Sequence, residues 1–170
     1  NIDYSHLHFY NIALNLATVV KHIHAKGYVI GDLNTANFMV STDNRTLTLL
    51  TVVDCDSFQV RDSASGQTYR CLVGKLEYTA PEFQQLAQDG FKSADRTEQN
   101  DLFALAVIIY QLLMQGSHPF QGVDLNPTRE LSDAHVYCIR NNIFPHLANN
   151  EFKPSPYAIK FMALPLQLQE

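Results

Sequence analysis

The sequence predicts a mainly α-helical fold with a few short β-hairpin strands, and three observations carry that expectation. Apolar residues recur at three- and four-residue steps over 5–26, and a second run over 98–115 is apolar nearly all round. Between them lie only short β-prone runs joined by polar turn residues. With 170 residues, 46% of them hydrophobic and 17% charged, the chain can bury one core, which predicts a single domain over 1–170.

In chain order, Leu7, Tyr10, Leu14, Ala17, Val20 and His24 fall on one helical stripe, and Gly27 stands where a helix commonly stops. His22 and His24 are two positions apart and cannot share a helical face, so they read as packing rather than as a metal pair. Met39-Val40 and residues 49–53 read as strands of a hairpin around the polar stretch 41–45. Residues 61–74 are polar, with an exposed turn at 62–66; a short helix is expected at 82–87 and a loop at 88–97. Over 98–115, Leu102, Phe103, Ala106, Ile109, Tyr110 and Leu113 make a broad apolar arc that Gly116 ends. Residues 131–141 read as a helix, and 144–170, broken by Pro145, Pro154, Pro156 and Pro165, as mostly irregular.

A net charge of -5 argues against gripping nucleic acid by its phosphates, which takes clustered Lys and Arg. No apolar run is long enough to span a membrane, and three irregularly spaced cysteines suggest neither disulfides nor zinc, so a reducing, cytoplasmic setting is expected.

The chemistry gathers in two stretches. Within 28–40, Asp32 and, five positions on, Asn37 lie in a loop between the first helix and an apolar strand. Within 47–60, a β-prone run stops at Asp54-Cys55-Asp56. Carboxylate and amide oxygens are what a hard cation such as Mg²⁺ takes, usually beside substrate phosphates.

These residues carry a resemblance. Gly31-Asp32-Leu33-Asn34-Thr35-Ala36-Asn37 resembles the protein-kinase catalytic loop H-R-D-L-x-x-x-N, and Asp54-Cys55-Asp56 falls where that family has D-F-G. Thr79-Ala80-Pro81-Glu82 resembles its A-P-E element, and Asn100-Asp101-Leu102-Phe103 the start of its long buried helix. The likeness covers roughly residues 7–120 and is similar to a divergent bacterial kinase-like subgroup of the eukaryotic serine/threonine type. It implies a kinase C-terminal lobe with the N-lobe absent: catalytic loop 28–40, metal-site segment 47–60, activation segment 54–82, buried helix 98–115 and a divergent tail over 121–170. No G-x-G-x-x-G occurs in the chain, and without that lobe the isolated chain is expected to bind ATP weakly and to be inactive.

The resemblance also implies roles. Asp32 would take the proton of a protein Ser/Thr hydroxyl, Asn37 and Asp54 would hold Mg²⁺ against ATP, and Asp101 and Glu82 would be structural. Asp56 stands where the family has Gly, and reads either as a second metal carboxylate or as a turn cap. Gly31 replaces the Arg that reads an activation-segment phosphate, and Asn34 replaces the catalytic-loop Lys. Lys75, after Gly74, is expected to supply that missing charge, pairing with Asp32 at rest. Glu82 is expected to lack its Arg partner, Arg129 and Arg140 both lying too early. Three functions fit: phosphoryl transfer to a protein, an inactive pseudokinase or scaffold binding a regulatory partner, and a small-molecule phosphotransferase, against which the A-P-E element counts.

Overall fold

The computed structural model describes residues 6–44, 47–84, 89, 91–92, 94–148 and 151–166. These contain three α-helices and three two-stranded antiparallel pairs. They group into two compact units, 1–109 and 110–170, whose boundary falls inside the second helix.

In the first unit, α1 (His6–His24) packs on the hairpin of β1 (Phe38–Asn44) and β2 (Leu47–Val52). Phe38 faces Val52 and Val40 faces Leu50, and the register breaks between Ser41 and Asn44. The buried face of α1 is Ile12, Ala13, Leu16 and Val20, while Leu7 and Leu14 of the expected stripe are 67% and 64% exposed. The helix is apolar on more than one side, so the expected stripe matches the buried face at Val20 and His24 but not at Leu7 and Leu14.

Beyond β2, a 3-10 turn (Cys55–Ser57) leads to β3 (Val60–Arg61), which pairs with β4 (Thr68–Tyr69) across the polar turn. Asp62 organises that turn, its Oδ1 accepting from the Ala64 amide at 2.9 Å. Of the helix expected at 82–87, the described part is a 3-10 turn (Pro81–Phe83); residues 85–88 lie outside the described residues.

Helix α2 (Glu98–Leu113) starts where the Thr97 amide donates to Asn100 Oδ1 at 2.8 Å, a side chain reaching back to a free helix-start amide. Its buried residues include Asn100, Asp101, Ala104, Leu105, Val107 and Ile108, whereas Leu102 is 49% exposed. Two polar groups thus turn inward at the cost of an apolar one, for a reason that the site supplies.

In the second unit, α2 stops at Leu113 rather than 115, and the Gly116 amide (φ 86) caps it by donating to the Gln111 carbonyl at 2.7 Å. The expected helix at 131–141 is α3 (Ala134–Arg140), shortened because Asp133 caps it, accepting from the Val136 amide at 3.1 Å. The stretch expected to be irregular contributes β6 (Phe152–Pro154), which pairs with β5 (Gly122–Asp124) and buries Phe152 against Cys138 and Ile143.

Candidate active site

The site is built on Asp101. Its side chain is 1% exposed, and its two oxygens accept three hydrogen bonds at 2.8 Å, from the amides of Ile30 and Gly31 and from His24 Nε2. The two amides precede Asp32, where Gly31 turns through φ 74 and lacks the i→i-4 bonds that a helix would provide. Because an ionised carboxylate only accepts, His24 Nε2 is the donor in its bond to Asp101. One buried carboxylate at the start of α2 therefore ties the end of α1 to the loop of Asp32, and this explains why α2 turns a polar face inward.

Asp32 is fixed from its other side by two amides. Asn34 Nδ2 donates to the Asp32 carbonyl (3.0 Å) and to Oδ1 (2.9 Å), while its own oxygen accepts from the Ala36 amide at 3.0 Å. Asn37 Nδ2 donates to the same carbonyl at 2.9 Å and to Asp32 Oδ2 at 3.4 Å. Asn34 is fully buried and Asn37 nearly so. Asn37 spends its N-H groups on Asp32, leaving the amide oxygen as its remaining donor to a cation.

The second stretch differs. Asp54 and Asp56 are exposed, and Asp54 has left-handed backbone angles (φ 62, ψ 39). The Asp54 carboxyl is pushed above the usual carboxylate range, first by its hydrogen bond to Asp56, then by repulsion from that charge, by burial and by Asp32. Asp56 and Asp32 thus both act on the Asp54 carboxyl, and among the described residues no basic side chain forms an ion pair with Asp54 or Asp56. That charge excess and the Asn37 oxygen fit a cation shared with substrate phosphates; among the described residues no three His, Cys, Asp or Glu side chains form a metal cage of their own.

The other expected residues lie as follows. The Lys75 side chain is exposed and its carbonyl accepts from Thr79 Oγ1 at 2.8 Å, but the resting ion pair with Asp32 is absent. Asn34 occupies that carboxylate instead, and so does more than fill the place of a missing Lys. Glu82 is exposed and accepts from Asn100 Nδ2 at 3.3 Å; Arg129 is bound to Glu151 (2.9 Å) and Asp124 (3.4 Å). Tyr78 Oη lies 3.3 Å from Thr35 Oγ1, linking the segment before Glu82 to the loop of Asp32. Sequence reasoning missed His24 and Asn34 as site residues. The eight-residue spacing from His24 to Asp32 was the available signal for the first, and nothing local marks the second.

Residues 2–169 match the protein kinase domain family. The chain is 33% identical over 161 residues to "Protein kinase YegI" of Escherichia coli K12, covering 93% of this chain and 23% of that protein. It is 25% identical to "Probable serine/threonine-protein kinase iksA" of Dictyostelium discoideum (79% of this chain, 16% of that one) and 29% identical to human "Tribbles homolog 1" (76% and 32%). The chain thus spans about a quarter of the length of the YegI relatives. No described helix is long and apolar enough to cross a membrane.

Proposed function

Because the chain belongs to the protein kinase domain family, we propose that it is the catalytic-loop lobe of a cytoplasmic kinase that phosphorylates Ser or Thr hydroxyls of a protein. The rest of the nucleotide site would come from an N-lobe outside these residues. Asp32 orients the acceptor hydroxyl and takes its proton, a role worth about 10²–10⁴-fold in rate. Asn34 and Asn37 hold the Asp32 carboxylate in one rotamer, and Asp101 holds the backbone beneath it. Asn37 and Asp54 would bind Mg²⁺, with Asp56 as an adjoining carboxylate, and the ion would neutralise charge on the phosphates of ATP. Lys75 is exposed and, among the described residues, forms no ion pair with Asp32; it would meet a phosphate rather than restrain Asp32.

The observation that carries this reading is the Asp32 carboxylate clamped by two buried amides on a loop anchored to buried Asp101. The test is phosphate transfer from labelled Mg-ATP to a general protein acceptor, by the longer protein that contains this chain and by its Asp32→Asn variant. The variant should lose at least about 10²-fold in turnover at unchanged nucleotide affinity. Equal turnover would overturn the assignment, and nucleotide binding without transfer in both would favour the scaffold reading.

A further inference from the structure

Arg96 is 4% exposed, yet it pairs with no carboxylate among the described residues, and its Nε has no hydrogen-bond partner. Its guanidinium lies 4.0 Å from the ring centre of Phe91 and 5.5 Å from that of Phe83, and its Nη2 donates to the Val73 carbonyl at 2.9 Å. The backbone is fixed as firmly: Gln59 Nε2 donates to the Arg96 carbonyl (2.8 Å), and the Arg96 amide donates to Gln59 Oε1 (2.7 Å). Gln59 in turn bridges Val29, at the entrance to the Asp32 loop.

Two glycines make room for this side chain. A Cβ on Gly74 would sit 2.7 Å from Arg96 Nη2, and one on Gly31 would sit 3.4 Å from Arg96 Cγ and 2.7 Å from Cys71 Sγ. The stem thus runs past the Asp32 loop while the head ends at the activation segment. Phe91, which stacks on the head, holds left-handed angles (φ 61) that strain a bulky residue. Burying a guanidinium without a carboxylate is costly as well. Burial pulls its pKa down, opposed in order by Cys71, Asp101 and Asp32. A hydrophobic residue would fill this space more cheaply, but it could not donate to Val73.

We infer that Arg96 is a positioning residue for the proposed reaction: a built-in cation that locks residues 71–79 against the Asp32 loop, so that this segment is ordered without being phosphorylated. The inference rests on the kinase reading for its consequence but not for its geometry. Gly31, where the family places a phosphate-reading Arg, is the position that Cys71 and Arg96 close off.

The test compares Arg96→Met with Gly74→Ala, which keeps the cation but drives its head off Val73. Amide exchange on this chain should accelerate at least about tenfold at Tyr78 and Thr79 in both variants, with the α1 amides unchanged. In the longer protein both should lower turnover onto a protein acceptor while leaving the KM for ATP unchanged, and substituting Ser63, Ser65, Thr68 and Tyr69 together by Ala or Phe should leave turnover intact. Unchanged exchange at Tyr78 and Thr79 in Gly74→Ala, exchange that rises equally through α1, or activity lost with the four hydroxyls would overturn the inference. No transfer by the parent protein itself, with the exchange pattern as expected in Arg96→Met and Gly74→Ala, would remove the kinase reading and leave the lock.

Discussion

The loop of Asp32 and the turn of Asp54 both present carboxylates, and the chain treats them oppositely. Around Asp32, Asn34 and Asn37 supply donors to both carboxylate oxygens, and Asp101 satisfies the amides beneath. Around Asp54, the hydrogen bond to Asp56 and the charges of Asp56 and Asp32 raise its pKa. The first region has its hydrogen bonds within the protein, whereas the second brings carboxylates near one another. Under the proposed function, preorganisation sits where the acceptor proton would move, and crowded charge where a cation and phosphates would bind.

The comparison breaks most severely at Asp101. Asp101→Ala leaves two buried amides and the His24 ring without their acceptor, and should cost about 3–5 kcal/mol in urea denaturation. A loss under about 1 kcal/mol would mean that the loop holds itself. Asn34→Ala removes three shorter-range bonds at a fully buried position. It should cost about 2 kcal/mol in the same experiment and, in an active protein, lower turnover more than it alters nucleotide affinity.

On the other side, Asp56→Asn should return the Asp54 carboxyl toward its ordinary value by NMR titration, with stability within about 0.5 kcal/mol of the parent, both groups being exposed. The sign is fixed: a carboxyl whose folded pKa is raised binds its proton more tightly when folded. Stability therefore falls as pH rises from 3.8 through the folded value. Asp56→Asn should flatten that fall. Lys75→Met should change stability least, because its head is exposed and makes no ion pair.

The sequence made much of this legible. The order of the motifs singled out Asp32, Asn37, Asp54 and Asp101, and hydrogen bonds link three of them: Asn37 donates to Asp32, and the Ile30 and Gly31 amides just before Asp32 donate to Asp101. It failed where the deciding partner is distant in sequence. His24 meets Asp101 across 77 positions, so spacing to His22 said nothing about its role. Asn34 was read as an absent Lys, although its bonds are entirely local and become visible only once the loop turns back on Asp32. The buried face of α1 was only partly legible because apolar residues lie on more than one side of it, leaving the choice of face to tertiary partners. β6 was hidden by Pro154, which lacks an amide and ends the strand rather than preventing it.

The contrast between the two regions is tested most directly by carboxyl-carbon NMR of the chain titrated with Mg²⁺. The account predicts that the Asp54 resonance shifts and that its titration midpoint falls toward or below the ordinary value, while the exchange of the Ile30 and Gly31 amides bonded to Asp101 does not change. An Asp54 carboxyl indifferent to millimolar Mg²⁺, or amides at Ile30 and Gly31 that become protected only when the ion is added, would contradict it.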